Sequence, residues 1–561
     1  MKHLIAIALL AYWPLFKNNG ITGTFGEYRF NHIHSGFDLS TEGKTGLPVK
    51  CFDDGFVYMI KVKKRGYGNV VYVKHPGKKL ISVYGHLKKF NKKIQKIADD
   101  YKKKRKTKYP GVIILQKKIK VKKREIIGYS GESGAGLPHL HFELRDYANN
   151  PVDASKYGFD MRFDTSYPRI VSLKVIPQDV FSRFNGKFRE GYVKAVKKDK
   201  NRFFLPDFSV SGNVLFALNV YDKAGRSKVS VKSIKFYLNG KRIFSYFPEK
   251  FSFDTFKQSC CVYDFEDTSL SPTVYFYNLF EIDGCGLSVL NGSDYYPFKK
   301  GINEMKIVVC DFHENCSILE GSFKYEKAPT IPADFSPLAA LNGKKVVFAE
   351  NWDGIVLFGN YAIFPYSREE SEYKFGKLTV RVKGINGKKR LVRVWKEKTF
   401  KGFLIPVEES FFRFDRENEF IKKVRYSISL EKFDRTYGIY FFNKFTRKWF
   451  FIGDEFDKNK KTISADYYRL GKIGVFIDKV PPEIKGNPFY FDGKLVIKVK
   501  DRGKGVNDET AYLKGKTKTF SLEYDNDRKW LFYDGKIPAG EYVLSVEDFA
   551  GNKTVKKVRV K

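Results

Sequence analysis

His139-Leu-His-Phe-Glu-Leu144 and, far upstream of it, His34-Ser-Gly-Phe-Asp38 are the two stretches whose reading decides the fold. Leu140, Phe142 and Leu144 alternate with the histidines, and Phe37 and Leu39 flank Asp38. Such alternation marks a strand with one face in a core and the other free for function. Side chains two or four residues apart on an extended chain share a face, so His139 pairs with His141, and His34 with Asp38. Two strands can then close one polar site. Catalytic zinc takes three protein ligands from His, Asp or Glu and leaves a fourth position for water. His34, Asp38, His139 and His141 are one candidate more than needed, which leaves a histidine to move protons. Singly these spacings are common: His139-x-x-x-Glu143 repeats the first and His32-Ile-His34 the second.

The wider sequence resembles the lysostaphin-type (LytM-like) zinc metalloendopeptidases, which hydrolyse bacterial cell-wall peptides. The resemblance runs through Gly23-Thr-Phe-Gly-Glu-Tyr-Arg29, His34-Ser-Gly-Phe-Asp38, Gly66-Tyr-Gly-Asn69, Tyr84-Gly-His-Leu87 and Gly136-Leu-Pro-His-Leu-His-Phe-Glu143, in the family's order. It covers the chain to about residue 155. It implies that His34, Asp38 and His141 bind Zn2+ and that His86 and His139 are the catalytic pair. All five positions keep the family's residue types, which argues against an inactive member.

The chemistry follows from those residue types. Zinc lowers the pKa of bound water from about 15.7 to near 7. A histidine, with an ordinary pKa of about 6.5, can accept the water proton and return it to the leaving amine. Either His86 or His139 is the base, and its partner hydrogen-bonds the developing oxyanion. Tyr28 is read as a buried or rim tyrosine outside the site. His75, in Lys74-His-Pro-Gly77 between two apolar runs, is read as structural, at a hairpin turn. His32 is a candidate for orienting a ligand. His313 takes the surface reading, and His3 belongs to the leader.

Composition bounds the rest. The chain has 561 residues, 53 Phe and 35 Tyr, with recurring Val-rich alternation, which predicts a mainly β protein of several domains. The expected layout is an export segment at 1–11, an antiparallel β-sheet peptidase domain at 12–166, a β-sandwich (Ig-like) module at 167–327, a β domain at 328–480 and a second Ig-like module at 481–561. The boundaries rest on a repeated opening: Tyr167-Pro-Arg-Ile170, Ala328-Pro-Thr-Ile331 and Val480-Pro-Pro-Glu-Ile484. Val309-Cys-Asp-Phe-His-Glu-Asn315 and Val546-Glu-Asp-Phe-Ala-Gly-Asn552 share a D-F-x-x-N turn near the end of each Ig-like stretch. Lys500-Asp-Arg-Gly-Lys-Gly-Val506 is a further mark of such modules. The interleaved aromatic and basic rows Tyr361–Tyr366 and Lys444–Phe451 read as sheet cores ahead of sugar-stacking platforms.

Lys and Arg outnumber Asp and Glu by 103 to 63, a net charge of +40, so a polyanion is the expected neighbour. Residues 88–124 hold seventeen basic side chains against Asp99 and Asp100. Ile94, Ile97 and Tyr101 fall at helical spacing, which predicts a basic helix inserted beside the site. No nucleic-acid motif accompanies it. The stretch reads first as a solvated face on an insertion and second as attraction to an acidic wall or anionic envelope polymers, with no nucleic acid expected; peptidoglycan is the partner the resemblance implies.

Met1-Lys-His followed by Leu4–Ala11 has the form of a short export signal, and no later run is long enough to span a membrane. The expected location is the periplasm, envelope or extracellular space. Five of the six cysteines fall between Cys260 and Cys316. A Cys310–Cys316 bond and one from Cys260 or Cys261 to Cys285 suit an oxidising compartment. Cys51, with no base placed beside it, is read as a buried apolar residue. The favoured function is a zinc endopeptidase of peptidoglycan cross-links or stem peptides. The alternatives are a non-cutting envelope protein that activates another wall hydrolase, or a zinc protease of protein substrates.

Overall fold

The computed structural model describes residues 13–327 and 357–561, apart from 16–19, 30–31, 135, 160–165, 179–181, 188–189, 266, 283–284, 294, 359–360, 365–369, 384–389, 397–403, 409, 415–418, 492 and 527. The export segment at 1–11 and the opening at 328–331 lie outside the described residues. The chain is mainly β, as expected, and its sheets are largely antiparallel. Among the described residues no helix is long and apolar enough to cross a membrane. Two compact units divide the chain, residues 1–345 and 346–561.

The first unit begins with an eight-stranded antiparallel sheet. Its strands are β1 (Ile21–Gly23), β2 (Phe37–Ser40), β3 (Gly55–Val62), β4 (Asn69–His75), β5 (Leu80–Gly85), β6 (Gly111–Val121), β7 (His139–Asp146) and β8 (Pro151–Val152), in the order β1-β2-β7-β5-β4-β3-β6, with β8 on β7. The alternation read from the sequence is that of β7. Phe142 packs among Trp13, Phe52, Tyr84 and Phe159 at centroid distances of 5.4–6.4 Å. His139, His141, Glu143 and Arg145 occupy the other face. Because a one-residue slip would exchange the two faces, this apolar set fixes the register of β7 against both neighbours.

The basic stretch is built into this fold. Helix α1 (Lys92–Lys104) starts at Asn91, whose side chain accepts the Ile94 amide, and ends on Lys102, Lys103 and Lys104. Basic residues at a helix C-terminus complement the helix dipole. Ile94 and Ala98 are buried, and the following strand β6 pairs with β3 as a sheet edge. His75 is structural as read: it is buried and bonded to Ser82 Oγ (2.7 Å) and the Asp54 carbonyl (3.0 Å).

Residues 169–326 add a five-stranded and a nine-stranded sheet, which meet where Phe216 of the first packs on Phe236 and Phe323 of the second. Cys261 bonds Cys285 and Cys310 bonds Cys316, the pairing expected, with Cys261 in place of the alternative Cys260. The D-F-x-x-N turn is realised at Asp311, whose carboxylate accepts the His313 and Asn315 amides. These residues also cover the first sheet. Phe25 stacks on Phe251 (5.0 Å), Tyr28 packs edge-on against Tyr263 and Phe265, Phe37 meets Phe312 (5.3 Å), and the Ile33 amide donates to the Phe256 carbonyl.

In the second unit, an eight-stranded and a five-stranded sheet share one core that includes Val424, Tyr426, Ile439, Phe441 and Val475. Residues 483–560 form two four-stranded sheets around Leu495, Leu513, Leu531 and Leu544. Trp449, Phe450 and Phe451 pack on Phe476, Tyr467 and Tyr440 respectively, in keeping with the sheet-core reading. The side chains of Tyr361–Tyr366 lie outside the described residues.

A chain ending at residue 166 would bare Phe25, Tyr28 and Phe37, each now at most 1% exposed, at a cost of about 1.5–3 kcal/mol apiece. It is expected to bind a hydrophobic dye and lose near-ultraviolet circular dichroism. A soluble fragment with native spectra would contradict this.

Candidate metal centre

The register of β7 assembles the site. His141 lies directly across from Asp38 on β2 and from Gly85 on β5, so Asp38 and His86 arrive on either side of it. His34 comes by another route than the sequence suggested. It does not share a strand with Asp38; a bend at Ser35 and Gly36 separates the short strand His32–Ile33 from β2. Gly36 is required there, since a Cβ would fall 2.3 Å from the Phe142 carbonyl oxygen. The bend brings His34 back to the same point.

Three atoms converge. His34 Nε2 lies 3.0 Å from His141 Nδ1, His141 Nδ1 lies 3.0 Å from Asp38 Oδ1, and His34 Nε2 lies 3.1 Å from Asp38 Oδ1. The remaining ring nitrogens set the tautomers. His34 Nδ1–H donates to the Thr24 carbonyl (2.8 Å), and His141 Nε2–H donates to Glu143 Oε1 (2.7 Å). Both partners only accept, so each histidine in its neutral form turns its unprotonated nitrogen inward. Two imidazole lone pairs and a carboxylate oxygen at mutual contact repel one another unless a cation lies between them. The donor set thus fits the zinc that the sequence led us to expect, with second ring nitrogens held as metal-ligating histidines usually are.

Electrostatics agrees. Burial opposes charge on His141, but the hydrogen bonds and charges of Asp38 and Glu143 outweigh it and lift its pKa to about 9. Burial also opposes charge on Asp38, yet His34 and His141 hold its carboxyl well below the usual range. A site that draws a proton this strongly is one that calls for positive charge.

Behind the three lie residues that sequence reasoning quoted without a role. Asp38 Oδ2 accepts Arg29 Nη2 at 2.7 Å, and Arg29 is also paired with Glu27. Glu27 Oε2 in turn accepts the amides of Thr24 (3.1 Å) and Ser230 (3.2 Å), and the Thr24 and Ser230 hydroxyls lie 2.7 Å apart. Gly23 leaves room for this network, since a Cβ would meet Arg29 Nη2 and Asp38 Oδ2 at 2.5 Å. On the other side, Glu143 is fully buried and accepts from Ser35, Tyr67 and Arg145. Its place beside His141 was legible, because it follows two residues later on the same strand face. Glu27 and Arg29 act through Asp38 and left no spacing to read.

His86 and His139 stand beside the three, with ring centroids 4.5 Å apart. His86 Nδ1–H donates to the Ser133 carbonyl (2.9 Å) and His139 Nδ1–H to the Leu137 carbonyl (2.7 Å), so both offer Nε2 as an acceptor. Burial, then the neighbouring His139 and His141, push His86 down to about 3, so it is a neutral imidazole at neutral pH. Its backbone is left-handed (φ 60°), a conformation of order 1–3 kcal/mol in cost that clusters at functional sites. The Gly66-Tyr-Gly-Asn69 block holds Ser133 in place: a Cβ on Gly68 would strike the Ser133 carbonyl at 2.1 Å.

The other candidates fall outside the site. Tyr28 is buried among aromatic rings, as read. His32 lies against Phe256, and burial and His34 push it down to about 4. His313 is half-buried, against the expected surface position. The Cys51 thiol is buried and pushed up to about 12 by that burial, in keeping with an inert apolar role.

Residues 32–102 match the model of Peptidase family M23. Over that stretch the N-terminal domain resembles the LytM-like peptidases of that family. Similar solved structures include a catalytic-domain mutant of EnpA, a prophage-encoded M23 protein of Enterococcus faecalis, at 24% identity over 26% of this chain and 97% of that one, TM-score 0.20. The catalytic domain of the antimicrobial peptidase lysostaphin from Staphylococcus simulans follows at 22% identity over 24% of this chain and 87% of that one, TM-score 0.18. Csd3 of Helicobacter pylori is 30% identical over 27% of this chain and 33% of its own length, TM-score 0.20. No curated protein matches the chain.

If Glu143 fixes the ring of His141, Glu143→Gln should weaken zinc affinity roughly 10- to 100-fold, read by competition with a chromophoric chelator. Unchanged affinity would remove Glu143 from that role.

Proposed function

We propose that the chain is a zinc-dependent endopeptidase that hydrolyses peptide bonds of bacterial peptidoglycan, cross-links or stem peptides, outside the cytoplasm. The observation that carries this reading is the convergence of three inward acceptors, His34 Nε2, His141 Nδ1 and Asp38 Oδ1, beside two histidines whose Nε2 atoms are free to accept. His34, Asp38 and His141 would hold the metal. Bound there, zinc supplies a Lewis acid for the scissile carbonyl and a water acidic enough to ionise near neutral pH.

The chain's own residues do the rest. One of His86 and His139 accepts the proton of the attacking water at Nε2 and delivers it to the leaving amine. The other hydrogen-bonds the oxyanion as it forms. The carbonyls of Ser133 and Leu137 hold the two rings in the tautomer this requires. Arg29 and Glu143 fix Asp38 and His141 from behind, so the donors need no rearrangement as charge develops.

The lysine-rich surface of α1 and β6 suits attraction to the anionic wall and its polymers, a long-range effect weakened by salt. The β regions at 167–327, 328–480 and 481–561, the first and last of them Ig-like modules in our reading, would space or dock the enzyme at the envelope.

The full chain incubated with purified peptidoglycan should release soluble peptides, identified by mass spectrometry, and chelation should stop the release. No release with zinc bound would overturn the peptidoglycan assignment. Replacing His34, Asp38 or His141 by Ala should lower zinc content, measured by elemental analysis. His86→Ala should keep the metal and lose turnover by about 100- to 10,000-fold; an active His86→Ala enzyme would assign the base to His139.

A further inference from the structure

A second group of oxygen donors stands in the second unit, unrelated to the peptidase site. Asp478, Asp501 and Asp548 each bring one carboxylate oxygen within 4.8 Å of the others. They come from three places: Asp478 follows the strand Ile473–Ile477, Asp501 follows Lys494–Lys500, and Asp548 ends Gly540–Asp548. The chain carries 103 Lys and Arg, yet among the described residues no Lys, Arg or His forms an ion pair with any of the three. Lys504 is buried close by in sequence, but its ammonium goes to Asp454 and to the carbonyls of Arg435 and Tyr437.

Backbone amides occupy only part of this acceptor capacity. Asp478 accepts from Val480 and Lys504, Asp501 Oδ2 from Gly503 and Gly505, and Asp548 from Asn552. Asp501 Oδ1 is buried without a partner. Gly503 admits the cluster, since a Cβ there would lie 1.8 Å from Asp478 Oδ2. The turn at Asp548 does not by itself explain the grouping, because Asp311 makes the same turn and belongs to no such group.

An independent observation points to a ligand. Tyr440 is 0% exposed and its hydroxyl has no hydrogen-bond partner. After burial, the charges that act on it most strongly are Asp478, then Asp501 and Asp548. A fully buried phenol with no hydrogen-bond partner, acted on by the charges of all three carboxylates, is a polar group left without the partner that burial demands. Buried polar atoms are otherwise almost always satisfied.

We propose that Asp478, Asp501 and Asp548 form a Ca2+ site, with the Tyr440 hydroxyl as a neutral oxygen on its buried side. All donors are hard oxygens, and Ca2+ accepts several carboxylates in flexible geometry, whereas Mg2+ is usually held by one or two and keeps its waters. The ion fastens residues 483–560, which have their own core, to the preceding region through Asp478 and Tyr440.

The test is calorimetric titration of CaCl2, then MgCl2, into the metal-stripped full chain resupplied with one equivalent of zinc. One Ca2+ per chain is expected, with Kd of about 0.1–1 mM, the range of extracellular modules, and a rise in Tm on binding. Asp501→Asn and Asp548→Asn should abolish both effects, Tyr440→Phe should weaken binding several-fold, and Asp38→Asn should leave it intact. If Asp548→Asn loses its turn and unfolds, Asp501→Asn, which removes charge and keeps the shape, decides the matter. No binding up to about 10 mM Ca2+, ten times the weak end of that range, would overturn the proposal. So would binding that survives Asp501→Asn, and Mg2+ binding as tightly as Ca2+ would overturn the choice of ion.

Discussion

The pairing of β7 between β2 and β5 is the constraint on which the peptidase site depends. Because His141 is paired with both Asp38 and Gly85, one register sets Asp38 on one side of His141 and delivers His86 immediately beyond the other. What holds the register is hydrophobic and lies on the opposite face, where Phe142 and Leu144 are fully buried. A slip by one residue would exchange Phe142 with the histidines and cost both the core and the site. Folding and function are thus specified by the same alternating run. The chemistry tolerates no independent adjustment of one strand.

Around this centre the charges are arranged to leave a deficit. Three carboxylates, Glu27, Asp38 and Glu143, are matched by two guanidiniums, Arg29 and Arg145. Breaking a buried pair strands its partner, at a typical cost of about 3–5 kcal/mol, so each Arg is as necessary to the arrangement as the ligand it serves. With both histidines neutral, one negative charge is left over, and it falls where two imidazole lone pairs meet a carboxylate oxygen. The polar face of β7 therefore acts as a graded sequence from outer support to metal donor: Arg145 holds Glu143, Glu143 holds His141, and His139 stands at the open end.

How much of this could be read from the residues differs from element to element. The strand His139–Asp146 and its two-faced character were legible because period-two alternation is a direct consequence of the pleat. The basic helix was legible from Ile94 and Ile97, and the disulfides from local spacing. His34 and Asp38 were rightly grouped for the wrong reason. Four-residue spacing on a strand predicts convergence, but a bend admitted by Gly36 achieves it, and only the approach of the Phe142 carbonyl shows why glycine stands there. Glu27 and Arg29 were invisible as functional residues, since their partners are brought in by topology. The same holds for Asp478, Asp501 and Asp548, separated by 23 and 47 residues, where no local pattern could announce a shared site.

The least legible feature is the dependence of the candidate metal centre on sequence that follows it. Thr24 gives its carbonyl to His34, while its hydroxyl lies against that of Ser230 and both amides bind Glu27. Gly26 gives its carbonyl to Tyr263, and Phe256 gives its own to the Ile33 amide. The loop that leads to His34 is therefore bonded on its outer side to residues beyond 166. Those residues belong to the scaffold of the site, because the positions of Thr24 and Glu27 determine where His34 and Asp38 point. Contacts between residues more than two hundred positions apart in sequence thus help to hold the donor set in place.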